Sequence, residues 1–165
     1  MKELLLLRHA ESEHGTHPVR DHDRTLSERG RENAKRMGRH LAEKGLVPDV
    51  ILCSSATRTT ETCAVVCESG AMHPKIEFVE QLYLASHSCM IKTTSQHAME
   101  AERVMLIGHN PGCEDVLHAL GLGMHEFPTC TLARTGLDIE DWLELEGSCK
   151  ATLLDLTLIQ DLEKA

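Results

Sequence analysis

Apolar residues in this chain fall into short unbroken runs, each closed by a polar turn, with helical spacing filling the intervals between them. Leu4 to Leu7, Val50 to Cys53 and Val104 to Ile107 are continuous rather than alternating. A strand buried on both faces has that pattern, which is the pattern of a parallel sheet covered by helices. Ile76 to Val79 is short and flanked by charge, and reads as an edge strand. From Glu28 to Lys44 the residues Ala34, Met37, Leu41 and Ala42 recur at helical spacing; Ser27 stands at the N-cap and Gly45 follows where a left-handed residue is wanted. Further helices are predicted from about Thr59 to Glu68 and from about Cys113 to Leu120, the second ended by Gly121 and Gly123. Leu84 to Met99 is mixed and is predicted helical only in part. Thr131 to Asp138 and Ala151 to Ile159 alternate as two more strands, with Trp142 and Leu143 between them. Strand-helix repetition followed by a strand pair predicts an α/β protein: a three-layer α/β/α sandwich, its central sheet mostly parallel with an antiparallel addition. No repeat or linker interrupts residues 1–165, so one domain is expected.

Three of the polar turns carry chemistry. Arg8 and His9 leave the first strand, Arg58 follows the Ser54 to Thr57 turn after the second, and His109 stands in the Gly108 to Gly112 turn after Val104–Ile107. In open α/β sheets ligands bind at these carboxyl edges. A helix start rich in Ser and Thr suits an anion, and arginine adds a planar fork of donors that matches phosphate oxygens. A neutral imidazole is a competent nucleophile, and guanidinium groups spread over non-bridging oxygens stabilise charge without a proton, so the set suits phosphoryl transfer through nitrogen. No GxSxG elbow, P-loop or Rossmann glycine fingerprint occurs. The loop from Glu11 to Asp23 holds His14, His17 and His22, whose spacing matches no helical ligand pair, and no metal is expected there. Arg20 and Arg24 flank its second half and could reach back toward the strand end.

Composition narrows the ligand. A net charge of −9 and an aromatic content of 2% argue against nucleic acid and anionic membrane surfaces as partners. One phosphate in a local pocket stays compatible, because salt screens distant charges over about 8 Å. Seven cysteines without a CxxC pair read as reduced thiols of a cytoplasmic protein; Cys63 and Cys67, one helical turn apart, are expected on a buried face. The apolar stretch before Arg8 is too short for a signal peptide or a membrane span.

LLLLRHAES (4–12), DHDRTLSERGRENA (21–34), DVILCSSATRTTETC (49–63), EQLYLA (80–85) and VMLIGHNPG (104–112), in that order and spacing, resemble the histidine phosphatase superfamily, also called phosphoglycerate-mutase-like. They are most similar to its short SixA branch of phosphohistidine phosphatases. The resemblance implies that His9 attacks phosphorus and is transiently phosphorylated. It further implies that Arg8, Arg58 and His109 surround the phosphoryl group, that Arg24 is a further substrate contact, and that neither metal nor other cofactor takes part. His109 beside a dianion should favour its cationic form, whereas His9 must present a neutral nitrogen. Larger members carry an acidic residue shortly after the third strand to protonate the leaving group; here the stretch reads Gln81, Leu82, Tyr83, Leu84, with Glu80 offset and expected to face solvent. Without an acid, leaving groups that depart readily are favoured, which fits phosphohistidine better than alkyl esters. The substrate implied is a phosphohistidine protein or a small phosphoester. A mutase and a non-catalytic phosphate-binding module are the alternatives; the chain lacks the insertions of a lid, and the intact Arg8, His9, Arg58 and His109 speak against a degenerate binder.

Overall fold

A computed structural model describes residues 1–15 and 18–162. Ten elements carry the fold: β1 (Lys2–Arg8), α1 (Glu28–Glu43), β2 (Val50–Ser54), α2 (Thr57–Ser69), β3 (Lys75–Val79), α3 (His87–His97), β4 (Arg103–Gly108), α4 (Gly112–Ala119), β5 (Leu132–Leu137) and β6 (Ala151–Thr157). The strands form one sheet in the order β3-β2-β4-β1-β5-β6. β3, β2, β4 and β1 run parallel to one another, while β5 pairs antiparallel with β1 and β6 antiparallel with β5.

Side-chain alternation along the unbroken apolar runs feeds two cores. Leu5, Leu7, Ile51, Cys53, Met105 and Ile107 pack with α1 and α2, where Ala34, Met37, Leu41, Cys63, Val66 and Cys67 are buried. Leu4, Leu6, Leu52, Val104 and Leu106 face Met90 of α3, Val116 and Leu117 of α4, and Trp142. The three layers and the antiparallel addition are as the sequence pattern predicts, and Cys63 and Cys67 lie on the buried face of α2. Among the described residues no helix is long and apolar enough to cross a membrane.

α1 begins where the pattern puts it. The Ser27 hydroxyl accepts from the Gly30 amide at 3.0 Å and donates to Glu11 Oε1 at 2.9 Å, tying the helix start to the loop that leaves β1. Gly45 follows at φ +64°. α2 starts at Thr57, two residues before the predicted position, with the Ala56 carbonyl accepting from the Thr59 and Thr60 amides. The N-cap residue is Ala56, which has no side-chain acceptor, so the cap is a backbone one.

Gly30 fixes how closely α1 approaches the β1 exit, since a Cβ built there would sit 2.0 Å from the Glu11 carbonyl oxygen. That neighbour is backbone and cannot rotate away. Gly30→Ala is therefore expected to destabilise the fold by about 1–3 kcal/mol, the usual cost of overpacking. A thermal melt should show a drop of several degrees.

Candidate active site

All three predicted turns end at the same edge of the sheet, and neighbouring strands bring two of them side by side. β1 and β4 pair with Arg8 opposite Gly108, so the residues that follow, His9 and His109, face each other with ring centroids 5.3 Å apart. The His9 backbone is held from two sides: its amide donates to the Gly108 carbonyl at 3.1 Å, and its carbonyl accepts from Cys130 at 3.0 Å. One residue on, the Ala10 amide donates to Thr62 Oγ1 at 3.0 Å, and the Thr62 hydroxyl donates to the Arg58 carbonyl at 2.6 Å. A single threonine of α2 thus couples the His9 turn to the Arg58 turn.

Arg8, His9, Arg24, Arg58 and His109 all line one cavity of about 320 Å3. Arg8 donates through Nη1 to the Phe127 carbonyl at 2.9 Å. Arg58, only 2% exposed, donates through Nη1 to the Asp21 carbonyl at 2.8 Å and through Nη2 to Asp21 Oδ2 at 3.1 Å. Arg24 reaches back across the loop, as expected, donating to Ser12 Oγ at 2.7 Å and to Asp21 Oδ1 at 3.1 Å. Of the histidine-rich loop, His14 also lines the cavity, while His22 bonds Ser55 Oγ at 3.0 Å and rests edge-on against Tyr83. His17 lies outside the described residues. Among the described residues no group of three or more His, Cys, Asp or Glu side chains is gathered as a metal would need.

The hydrogen bond of His9 decides its tautomer. Nδ1 lies 2.7 Å from the Ala10 carbonyl, which can only accept, so Nδ1 carries the hydrogen and Nε2 keeps its lone pair. Among the described residues Nε2 has no hydrogen-bond partner, and it is not among the polar atoms sealed from solvent. Burial, reinforced by the Arg58, Arg8 and Arg24 guanidinium groups, pushes the His9 pKa down to about 4, so the ring is neutral near pH 7. His109 donates to or accepts from Ser54 Oγ through Nε2 at 2.7 Å. Burial first, and then the neighbouring His9 and Arg58, push it down to about 3. Without an anion His109 is therefore neutral rather than cationic, and the cationic form expected from sequence requires the dianion to be in place.

Polar dissatisfaction concentrates here. Four of the seven buried polar atoms without a partner among the described residues belong to cavity residues: Arg8 Nε, Arg58 Nε, His109 Nδ1 and Asn110 Oδ1. Buried groups left unsatisfied in a native structure call for an explanation, a catalytic role or an ordered water or ion among them.

Sequence reading gave no role to Asp21, Ser54, Thr62 or Tyr83. Asp21 is the keystone: Tyr83, Arg24 and Arg58 all converge on its carboxylate, and the Tyr83 hydroxyl, then Arg24 and Arg58, hold its pKa at about 2. The three-residue offset between Asp21 and Arg24 was the one signal available, since side chains that far apart meet on a tight turn. Glu80 is exposed and lies outside the cavity lining, as expected.

Two buried neutral histidines link the site to stability. Their folded pKa values lie below the unfolded value of 6.5, so the unfolded chain takes up more protons as pH falls from 6.5 toward 4, and stability falls with it. The expected slope is at most about 1.4 kcal/mol per pH unit per histidine. Melts between pH 7 and 4.5 should show this loss, reduced in His109→Gln. Tungstate should raise Tm more at pH 5 than at pH 7, because an anion favours protonated rings.

A family model for the histidine phosphatase superfamily (branch 1) matches residues 4–83. An uncharacterized chloroplastic protein of Arabidopsis thaliana is 32% identical over 143 residues, covering 80% of this chain and 65% of that protein. The chain spans somewhat under two thirds of the length of the curated relatives it matches. Among solved structures, the protein of Agrobacterium tumefaciens provisionally named phosphohistidine phosphatase SixA superposes with TM-score 0.81 at 28% identity, over 95% of this chain and 97% of that one. A protein histidine phosphatase SixA complexed with tungstate gives TM-score 0.80 at 17% identity over 98% and 99% of the two chains, a likeness of fold.

Proposed function

The chain belongs to the histidine phosphatase superfamily, and from that premise we propose that it is a metal-independent phosphohydrolase that works through a phosphohistidine on His9 and acts on phosphohistidine in a protein. The observation that carries this reading is a tautomer-fixed, neutral His9 whose Nε2 opens to a cavity walled by Arg8, Arg24, Arg58 and His109.

The Nε2 lone pair attacks phosphorus, the bond to the leaving atom breaks with its electron pair going to that atom, and the arginines bear the charge on the non-bridging oxygens. Water then attacks phosphorus, and the N–P bond breaks with its electron pair going to nitrogen. Inorganic phosphate leaves, and His9 Nε2 recovers its lone pair. Two carboxylates line the cavity. Asp21 is pinned in its ionised form by Tyr83, Arg24 and Arg58, and Glu11 accepts from Ser27 Oγ beside Arg29. Asp21, held ionised, is no ready proton donor, which favours an imidazole leaving group over an alkoxide. A small, easily expelled phosphoester is the second reading, supported by the size of the cavity.

The test is a competition between a phosphohistidine peptide, an alkyl phosphate and p-nitrophenyl phosphate, read as ratios of kcat/KM with and without chelator. Preference for the phosphohistidine peptide over the alkyl phosphate by two orders of magnitude or more, unchanged by chelator, is expected. Equal turnover of the two removes the substrate assignment, and loss of activity with chelator removes metal independence.

A further inference from the structure

A second and larger depression, about 770 Å3, runs beside the candidate catalytic cavity, between α1 and the turn Ile159–Asp161. Glu11 and Thr129 line both, so the two adjoin. Arg29, Arg36 and Arg39 line it from one face of α1, ten residues or about 15 Å from first to last. Arg36 is fixed, donating through Nη2 to the carbonyls of Ile159, at 2.9 Å, and Leu162. Its Nε is buried without a partner among the described residues. Arg29 is open to solvent with its nearest carboxylate, Glu11, at 3.9 Å, and Arg39 forms no ion pair among the described residues. The acidic residues of the lining are Glu11 and Glu32, and Lys35 already engages Glu32 at 2.6 Å. The facing wall is apolar, built from Leu158, Ile159 and Leu162.

Three guanidinium groups gathered on one groove of a chain whose net charge is −9 are an acceptor for negative charge. A free phosphate would use neither the 15 Å length nor the apolar wall. Nucleic acid would meet the repulsion of the rest of the surface. Recognition of acidic motifs by arginine clusters, with an apolar strip for alternate side chains, is the mode that fits. We propose that this groove takes an acidic, partly apolar peptide segment flanking the phosphorylated side chain of a protein substrate. The proposal rests on the phosphatase reading above for its substrate, while the groove's affinity for acidic peptide is testable without turnover.

The experiment uses the full chain and a labelled unphosphorylated decapeptide alternating Glu with Leu, against its Gln-for-Glu counterpart and a single-stranded oligonucleotide of equal length, in fluorescence anisotropy at low salt. The acidic peptide should bind at least tenfold tighter than the neutral one and the oligonucleotide, and R29E/R39E should lose at least tenfold. In the same double variant, kcat/KM on a phosphopeptide with an acidic flank should fall tenfold through KM, while turnover of p-nitrophenyl phosphate stays at the wild-type rate and shows the fold intact. Equal binding of the acidic and neutral peptides overturns the proposal, as does indifference to R29E/R39E or an oligonucleotide that binds as well. So does a tenfold gain in peptide affinity on deleting residues 163–165, which would make that segment the occupant. Charge-dependent peptide binding without turnover of any phosphate compound upholds the groove and overturns the phosphatase reading instead.

Discussion

His9→Ala should abolish turnover and phosphoenzyme together, lowering kcat by about six orders of magnitude, the scale seen when a nucleophile is removed from a catalytic unit. His109 cannot take over, although its ring centroid is only 5.3 Å away, because its Nε2 is held by Ser54 Oγ and its Nδ1 is sealed from solvent. The fold should survive. The backbone bonds that seat residue 9, to Gly108 and Cys130, do not involve the imidazole, and Ala10 keeps its bond to Thr62. Quenched wild-type enzyme, trapped during turnover of a labelled phosphate donor, should carry phosphate that is released in acid and retained in alkali, as an N–P bond requires. Label absent from wild type, or present in His9→Ala, would refute the nucleophile assignment. His109→Gln separates the two rings, since it should slow turnover while leaving residue 9 able to accumulate label.

The parts of this protein legible in sequence are those governed by local pattern. Leu4–Leu7, Val50–Cys53 and Val104–Ile107 announce buried strands because every side chain in them is apolar, and the residue that breaks each run is placed at the sheet edge by chain continuity alone. That is why Arg8, His9, Arg58 and His109 could be gathered on paper. α3 was only half visible because its buried face is polar: Thr93, Thr94 and Ser95 are inside, and Thr94 and Ser95 satisfy their hydroxyls on the Met90 and Lys92 carbonyls. A helix that hides hydroxyls gives no apolar stripe. Asp21, Tyr83, Ser54 and Thr62 were invisible for a different reason. Their roles are long-range contacts, Tyr83 to Asp21 across 62 positions and Ser54 to His109 across 55, and no periodicity encodes such a pairing. The cationic form of His109 beside a dianion could be read from sequence, but not its neutral state without one, because burial sets that state and burial is a property of the fold.

Arg58→Ala should cut turnover at least a hundredfold, the usual effect of losing one preorganised donor at developing charge, with the loss in kcat more than in KM. The geometry explains why the guanidinium is hard to replace. Its Nη1 and Nη2 each spend a hydrogen on Asp21, one on the carbonyl and one on the carboxylate, and a guanidinium still has three donors left. One side chain can therefore hold the Asp21 loop and face a phosphoryl oxygen at once. Lysine, with a single nitrogen on a flexible stem, cannot span both, so Arg58→Lys should fall within tenfold of Arg58→Ala rather than near wild type. Asp21→Asn gives the complementary reading: it keeps the shape, removes the charge that anchors Arg58 and Arg24, and should raise affinity for phosphate or tungstate while lowering kcat, because the forks bind the anion but lose their aim. An Arg58→Lys enzyme with wild-type turnover would show that charge alone suffices at this position, and an Arg58→Ala enzyme with wild-type turnover would remove Arg58 from the reaction.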